Sequence, residues 1–270
     1  MKEALIGLAL SLSFALPLAA APLPAEVVAP MRAADVVMLG EIHDNPAHHL
    51  IQAEALAALA PRAVVWEMMT AETAAQVTAE VIDDPDRLAE VTGWDDSGWP
   101  PLAEYLPVFR AARGARNYGA LVPRAAVGTV MAEGLSASFG PEATEFGLTD
   151  PLPEAEQVAR EADQQAAHCN AMPADKLWML VDIQRLRDAT LARTVLHALE
   201  QTGGPVAVIT GNGHARADRG VPVYLRRAAP GLGLFALGQS EAGQLAGTFD
   251  AVIDAPEVAR PDPCAAFAKP

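Results

Sequence analysis

The chain has 270 residues, 51% of them apolar, enough for one large domain with a buried core. Its formal charge of −15 comes from 34 acidic against 19 basic residues. Nucleic acids and anionic membrane surfaces both need clustered Lys and Arg, so this balance argues against either as a partner.

Residues 1–21 read as a signal peptide: a short polar start, then an apolar stretch from Ala4 ending in small residues. Ser11, Ser13 and Pro17 make this stretch a poor spanning helix, and no other stretch is long enough to cross a bilayer. Cleavage is expected between Ala20 and Ala25, giving a periplasmic or secreted protein. No cysteine lies near that point, so the chain does not read as a lipoprotein.

Residues 35–40, "DVVMLG", form a continuous apolar run, as in a strand buried on both faces. Asn45 suits an N-cap and Pro46 a first helical position. Leu50, Ile51, Ala55, Leu56 and Leu59 keep helical spacing until Pro61. A second apolar run at 62–69 completes a strand-helix-strand unit of the parallel α/β kind. Residues 71–91 read as helical, interrupted by "DDPD". An aromatic Pro/Gly-rich loop, 93–102, leads into a helix and then a short strand in "NYGALVP". From 125 to 152 the pattern is weak, and 154–170 and 175–201 read as two long helices. "PVAVITGNGHA" is a third apolar strand ending in Gly-x-x-His. "LGLFALG" and "GTFDAVID" are short strand candidates.

The expected architecture is a mainly parallel sheet flanked by helices. It makes one domain over 26–255, with a smaller helical part over roughly 125–200 and a loose tail at 256–270. Cys169 and Cys264 are the only cysteines. They either pair in an oxidising compartment or stay apart, one buried and one near the tail.

In open parallel sheets, ligands bind at the carboxyl ends of the strands. Three such ends carry reactive groups here: Glu41 with His43, Glu67, and Gly211 to His214. If these strands are neighbours, two histidines and two glutamates converge. A carboxylate beside an imidazole raises its basicity or fixes its tautomer, so the pair can deprotonate water, bind a divalent metal or hold a polar ligand. The glycine before each site is expected to let the backbone turn sharply as it leaves the sheet, with no Cβ in the way. Arg216 and Asp218 could add an anion clamp and an orienting partner.

Plainer readings exist. Glu41 and His43 could satisfy a helix start, and His48 and His49, in the first turn, read as solvated. His168 and His197 sit on helices without clustered partners and read as structural or exposed. Glu67 is harder to dismiss, because an acid after a buried run is costly unless partnered. Of the tyrosines, Tyr105, Tyr118 and Tyr224, the first has the most haem-like surroundings, with Trp94, Trp99, Arg110 and Arg113 nearby. An aromatic loop packed on a helix is the more frequent explanation.

"LGEIHDNPAHH", "VVWEMM", "WDDSGWPPLAEYLPVFRAAR", "QRLRDATLA" and "ITGNGHARADRGVPVYL" together resemble the ChaN-like haem-binding uptake proteins of the Tiki superfamily, over residues 36–225. The resemblance implies an exported bacterial α/β protein with a smaller helical part. It would bind haem through a tyrosine, as a cofacial pair within a homodimer, and serve iron uptake. Glu41, His43, Glu67, Gln184, Arg187, Asp188, Gly211, His214 and Gly220 fall on motif positions. Tyr105 is the candidate iron ligand, with Glu41, His43, His49, His214 and Arg216 around the haem.

Many relatives resemble lipoproteins, whereas this chain lacks the anchoring cysteine. The wider superfamily is also similar to hydrolases, among them Tiki-type proteases and erythromycin esterases. That leaves an alternative: Glu41 or Glu67 as general base, with His43 and His214 as ligands to a divalent metal or as oxyanion partners. A third possibility is an exported structural domain whose site is idle.

Overall fold

The computed structural model describes residues 22–267, so the expected signal segment at 1–21 lies outside the described residues. The strands are β1 (Val36–Glu41), β2 (Ala63–Trp66), β3 (Arg116–Gly119), β4 (Val206–Gly211), β5 (Leu234–Glu241) and β6 (Ala251–Ala255). They form one sheet in the order β3-β2-β4-β1-β5-β6, and every neighbouring pair is parallel.

The helices follow in chain order. α1 (Ala25–Ala33) precedes β1, and α2 (Pro46–Leu59) joins β1 to β2. Between β2 and β3 lie α3 (Ala71–Ala74), α4 (Ala79–Ile82), α5 (Pro85–Thr92) and α6 (Leu102–Ala111). α7 (Ala126–Glu133), α8 (Leu135–Phe139), α9 (Glu154–Ala167) and α10 (Leu177–Thr202) lead to β4. α11 (Asn212–Ala215) and α12 (Val221–Ala228) follow it.

Strand residues alternate between two apolar layers, as period-two geometry requires. Val37, Leu39, Val64, Trp66, Ala207 and Ile209 pack with Leu56 of α2 and Val108 and Phe109 of α6. Val36, Met38, Val65, Val206 and Val208 pack on the opposite face with Ala189, Ala192 and Val195 of α10. Both faces of the sheet are covered, which is why the strands read as unbroken apolar runs.

The segment at 71–91, expected to be helical with an interruption at "DDPD", breaks there and once more between Ala74 and Ala79. Thr70, Thr78 and Asp84 each accept a hydrogen bond from the amide three residues on, at 3.2, 3.4 and 3.1 Å, and each starts a new helix. The helical part at 125–200 packs onto the sheet. Val130, Leu135, Phe139 and Phe146 share the core layer of α10, the crossover helix from β3 to β4. The segment after Pro256, expected to be loose, is tethered among the described residues. Arg260 bonds Asp44 and Glu241 at 2.6 Å each, and Cys264 is disulfide-bonded to Cys169. Among the described residues no helix is long and apolar enough to cross a membrane.

From β1 the chain moves past β4 to β2 and β3, and after β4 it returns past β1 to β5 and β6. β1 and β4 therefore flank the point where the connections diverge, the place where parallel sheets open a crevice.

Candidate functional site

The expected convergence occurs. β4 pairs with both β1 and β2, and Glu41 lies opposite Gly211 in register. Asn45 caps α2 by accepting from the Ala47 amide at 2.9 Å, with Pro46 in the first turn. The connection between β1 and α2 is thereby fixed over the strand ends.

Glu41 is 2% exposed and anchors one half of the site. Its Oε1 accepts from His43 Nδ1 at 2.6 Å and from the Tyr105 hydroxyl at 2.7 Å. Its Oε2 lies 3.4 Å from His49 Nε2. Tyr105 is completely buried, its ring 3.8 Å from that of His49 and 5.0 Å from that of Trp94. Burial, together with the Glu41 charge, pushes the phenol far above its usual range, so it remains a donor. In this structure the Tyr105 hydroxyl is committed to Glu41. His48 and His49 are also fully buried rather than solvated. His48 Nδ1 accepts from the Ile42 amide at 2.9 Å. Burial pushes both imidazoles down, towards the neutral form.

The other half is built around His214. Its Nδ1 donates to Asp188 at 2.6 Å, and its Nε2 lies 3.4 Å from Glu67 Oε1. The Gln184 amide nitrogen sits 3.0 Å from the same Nδ1. Glu67 Oε2 accepts from the Thr210 hydroxyl at 2.6 Å and from the Gly211 amide at 2.8 Å. Burial opposes the charged imidazole, but Glu67 and Asp188 outweigh it and push His214 up to about 10. Burial would likewise raise Glu67, yet the His214 charge holds that carboxyl well below its usual range.

Among the described residues no cluster of three or more His, Cys, Asp or Glu is placed to hold a metal ion.

His43 joins the halves. Its Nδ1 is held by Glu41, its Nε2 lies 3.9 Å from Glu67, and its side chain is 30% exposed beside Trp99, 4.8 Å away. Burial works against its charge, but the Glu41 hydrogen bond and the Glu67 and Glu41 charges raise its pKa. An orienting carboxylate on one nitrogen and an open second nitrogen are what a general base needs.

The glycines serve by lacking a Cβ. Neither Gly40 nor Gly211 has a positive φ; each makes room. A Cβ on Gly211 would lie 2.9 Å from His43 Nε2, and one on Gly40 would lie 2.5 Å from Asn212 Oδ1.

Arg216 does not touch His214. It pairs with Asp218 at 2.6 Å and lines a cavity of about 190 Å³ with Gln184 and Asp188. The orienting partner expected in Asp218 is Asp188, supplied by α10. A second cavity, about 70 Å³, touches Glu67, Trp99 and Arg187. Both are smaller than the roughly 300–1,000 Å³ of a typical cofactor pocket. A groove of about 1020 Å³ lies elsewhere, against β3 and α10, lined by Tyr118 and His197 among others. Sequence reading takes His197 as structural or exposed and gives Tyr118 no role; Arg193, His197 and Glu200 share a helical face.

The chain shares its fold with the solved ChaN of Campylobacter jejuni, described with cofacial haem. The TM-score is 0.62 at 17% identity, covering 83% of this chain and 89% of that one. The type III effector HopBA1 also matches, with a TM-score of 0.44 at 13% identity, over 90% of this chain and 100% of the effector. A Bacillus cereus protein matches with a TM-score of 0.45 at 13% identity, over 79% of this chain and 68% of that one. No curated protein matches the sequence. The family described as haem-binding uptake, Tiki superfamily, ChaN, matches residues 27–225. With the Glu/His strand-end site inside that span, the chain belongs to the ChaN-type haem-binding uptake family of the Tiki superfamily.

Proposed function

We propose that this chain is an exported haem-binding protein that handles haem or iron in the periplasm or outside the cell. The observation that carries the reading is the family match over residues 27–225, which takes in most of both core layers and the strand-end site. An apolar start at residues 1–21 and an acidic composition of 34 acids to 19 bases suit an exported protein. A homodimer is the assembly that would bring two haems face to face, and the Campylobacter jejuni relative is described with cofacial haem. Within this reading the strand-end ion pairs hold the crevice rigid.

The test is a haemin titration of the purified chain followed by absorbance, with size-exclusion mass measured before and after loading. The expected result is a saturable Soret band and a rise in mass to that of two chains. A linear, non-saturating change overturns the haem reading.

A further inference from the structure

β3 is an outer strand of the sheet, and the groove of about 1020 Å³ runs along its free edge. Asn117, Tyr118 and Gly119 form its floor. Ala71, Ala75 and Val77 line one wall, and Phe146, His197 and Glu200 the other. The layers on the two faces of the sheet thus overhang its edge and leave a slot one strand wide.

The backbone in that slot lacks partners. The Arg116 amide donates to the Arg62 carbonyl and the Ala120 amide to that of Trp66, at 2.9 Å each. Between them the pairing with β2 is regular, from Ala63 opposite Arg116 to Trp66 opposite Gly119. The N–H and C=O of one strand residue point the same way, and the direction alternates along the strand. Those of Asn117 and Gly119 therefore face away from β2, and none of them bonds another group among the described residues. Both residues are buried, and buried backbone groups are costly without a partner. The Tyr118 hydroxyl is likewise buried and has no hydrogen-bond partner among the described residues. An unpaired strand edge is a template for another strand.

The walls set the side chains such a strand can carry, because its residues face alternate sides. One side meets Ala71, Ala75 and Val77, which suit small apolar groups. The α10 side is acidic. There Arg193 is engaged by Glu142 at 3.3 Å, and the Arg116 guanidinium lies 5.3 Å from the centre of the Tyr118 ring. Glu145 and Glu200 line the same side without an Arg or Lys partner among the described residues; Glu200 has only His197, 4.0 Å away.

We propose that the β3 edge takes an extended peptide segment of another protein, added as a further strand. Its basic side chains face Glu145 and Glu200, and its small apolar ones face Ala71 and Ala75. Main-chain bonds to Asn117 and Gly119 supply affinity, and the two walls supply selectivity. β3 spans four residues, roughly 13 Å of strand, so a short segment suffices. A second copy of this chain is a poor occupant through its other outer strand, because β6 reads AVIDA, without Lys or Arg.

The experiment uses the whole chain and a fluorescein-labelled hexapeptide of alternating Lys and Val, beside its Glu-Val counterpart, read by fluorescence anisotropy. Amide hydrogen exchange at Asn117 and Gly119 is followed with and without peptide. The expected result is saturable binding of the Lys-Val peptide, roughly tenfold tighter than that of Glu-Val. Exchange of the two amides should slow about tenfold on binding. The double variant Glu145→Gln, Glu200→Gln and the single variant Ala75→Trp should each weaken binding roughly tenfold. These three positions are exposed, so the fold is spared, which thermal melting checks. Ala75→Trp leaves the charge unchanged and separates the slot from general attraction to an acidic chain. The proposal is overturned if the Lys-Val peptide fails to bind, binds without slowing those amides, or binds Ala75→Trp as tightly as the wild type. Amides already protected without peptide, in a chain that sediments as a dimer, would give the edge to a second copy and overturn it too.

Discussion

His214 holds its proton because two carboxylates reach it from different elements, Glu67 from the end of β2 and Asp188 from α10. This has a pH consequence. The folded chain keeps that proton up to about 10, whereas an unfolded histidine releases it near 6.5. Between those values the native state binds more protons, so stability falls as pH rises through that window. His43, also raised, adds in the same direction. Glu67 is lowered from 4.5, so its contribution is lost as pH falls below that value. Urea midpoints should therefore be higher at about pH 5.5 than at about pH 8.5. His214→Ala should cost ~3–5 kcal/mol at the lower pH by leaving buried carboxylates unpaired, and should flatten the alkaline decline. A wild-type midpoint independent of pH across that range would show that the imidazole is neutral. Glu41, His43, Glu67 and His214 were legible because each follows an apolar strand. The role of Asp188 was not. Its partner is 26 residues away in sequence, and a helical acid gives no local cue of what it faces.

At the scale of elements, position 220 joins α11, which carries His214, to α12. Gly220 has an ordinary φ of −85°, so its need for glycine is spatial. A Cβ there would lie 2.1 Å from the His214 carbonyl oxygen and 2.8 Å from that of Arg216. Both are backbone atoms, so Gly220→Ala must displace the joint. The expected cost is ~1–3 kcal/mol. NMR titration of the His214 ring should also show its pKa dropping towards 6.5 as Glu67 and Asp188 lose contact. A destabilised variant with an unmoved His214 titration would place the strain in α12 instead. β1, α2 and β2 were legible because an apolar run, a cap and Pro46 agree locally. The helices at 71–91 were not, because Thr70 and Thr78 can cap a helix or sit within one, and packing decides.

At the scale of the molecule, the sheet class followed from both faces of the strands being apolar, but the tethering of the last residues did not. The disulfide joins Cys169, just past α9, to Cys264 across a sequence separation of 95. Arg260 meanwhile ties the same segment to Asp44 and Glu241 beside the strand ends. Bringing two such distant cysteines together is a topological fact that no local pattern encodes. A cross-link closing a loop of this length restricts the unfolded chain and is worth ~2–5 kcal/mol. The opposing effect is that Cys264 lies near the chain end, where strain in the reduced state can relax by fraying. The urea midpoint of the oxidised chain, compared with that of Cys264→Ser, separates the two. A drop of the expected size means that the bond stabilises the whole fold and that an oxidising compartment suits it. Equal midpoints, with faster hydrogen exchange confined to residues after 256, would make the bond a local clasp and remove its support for export.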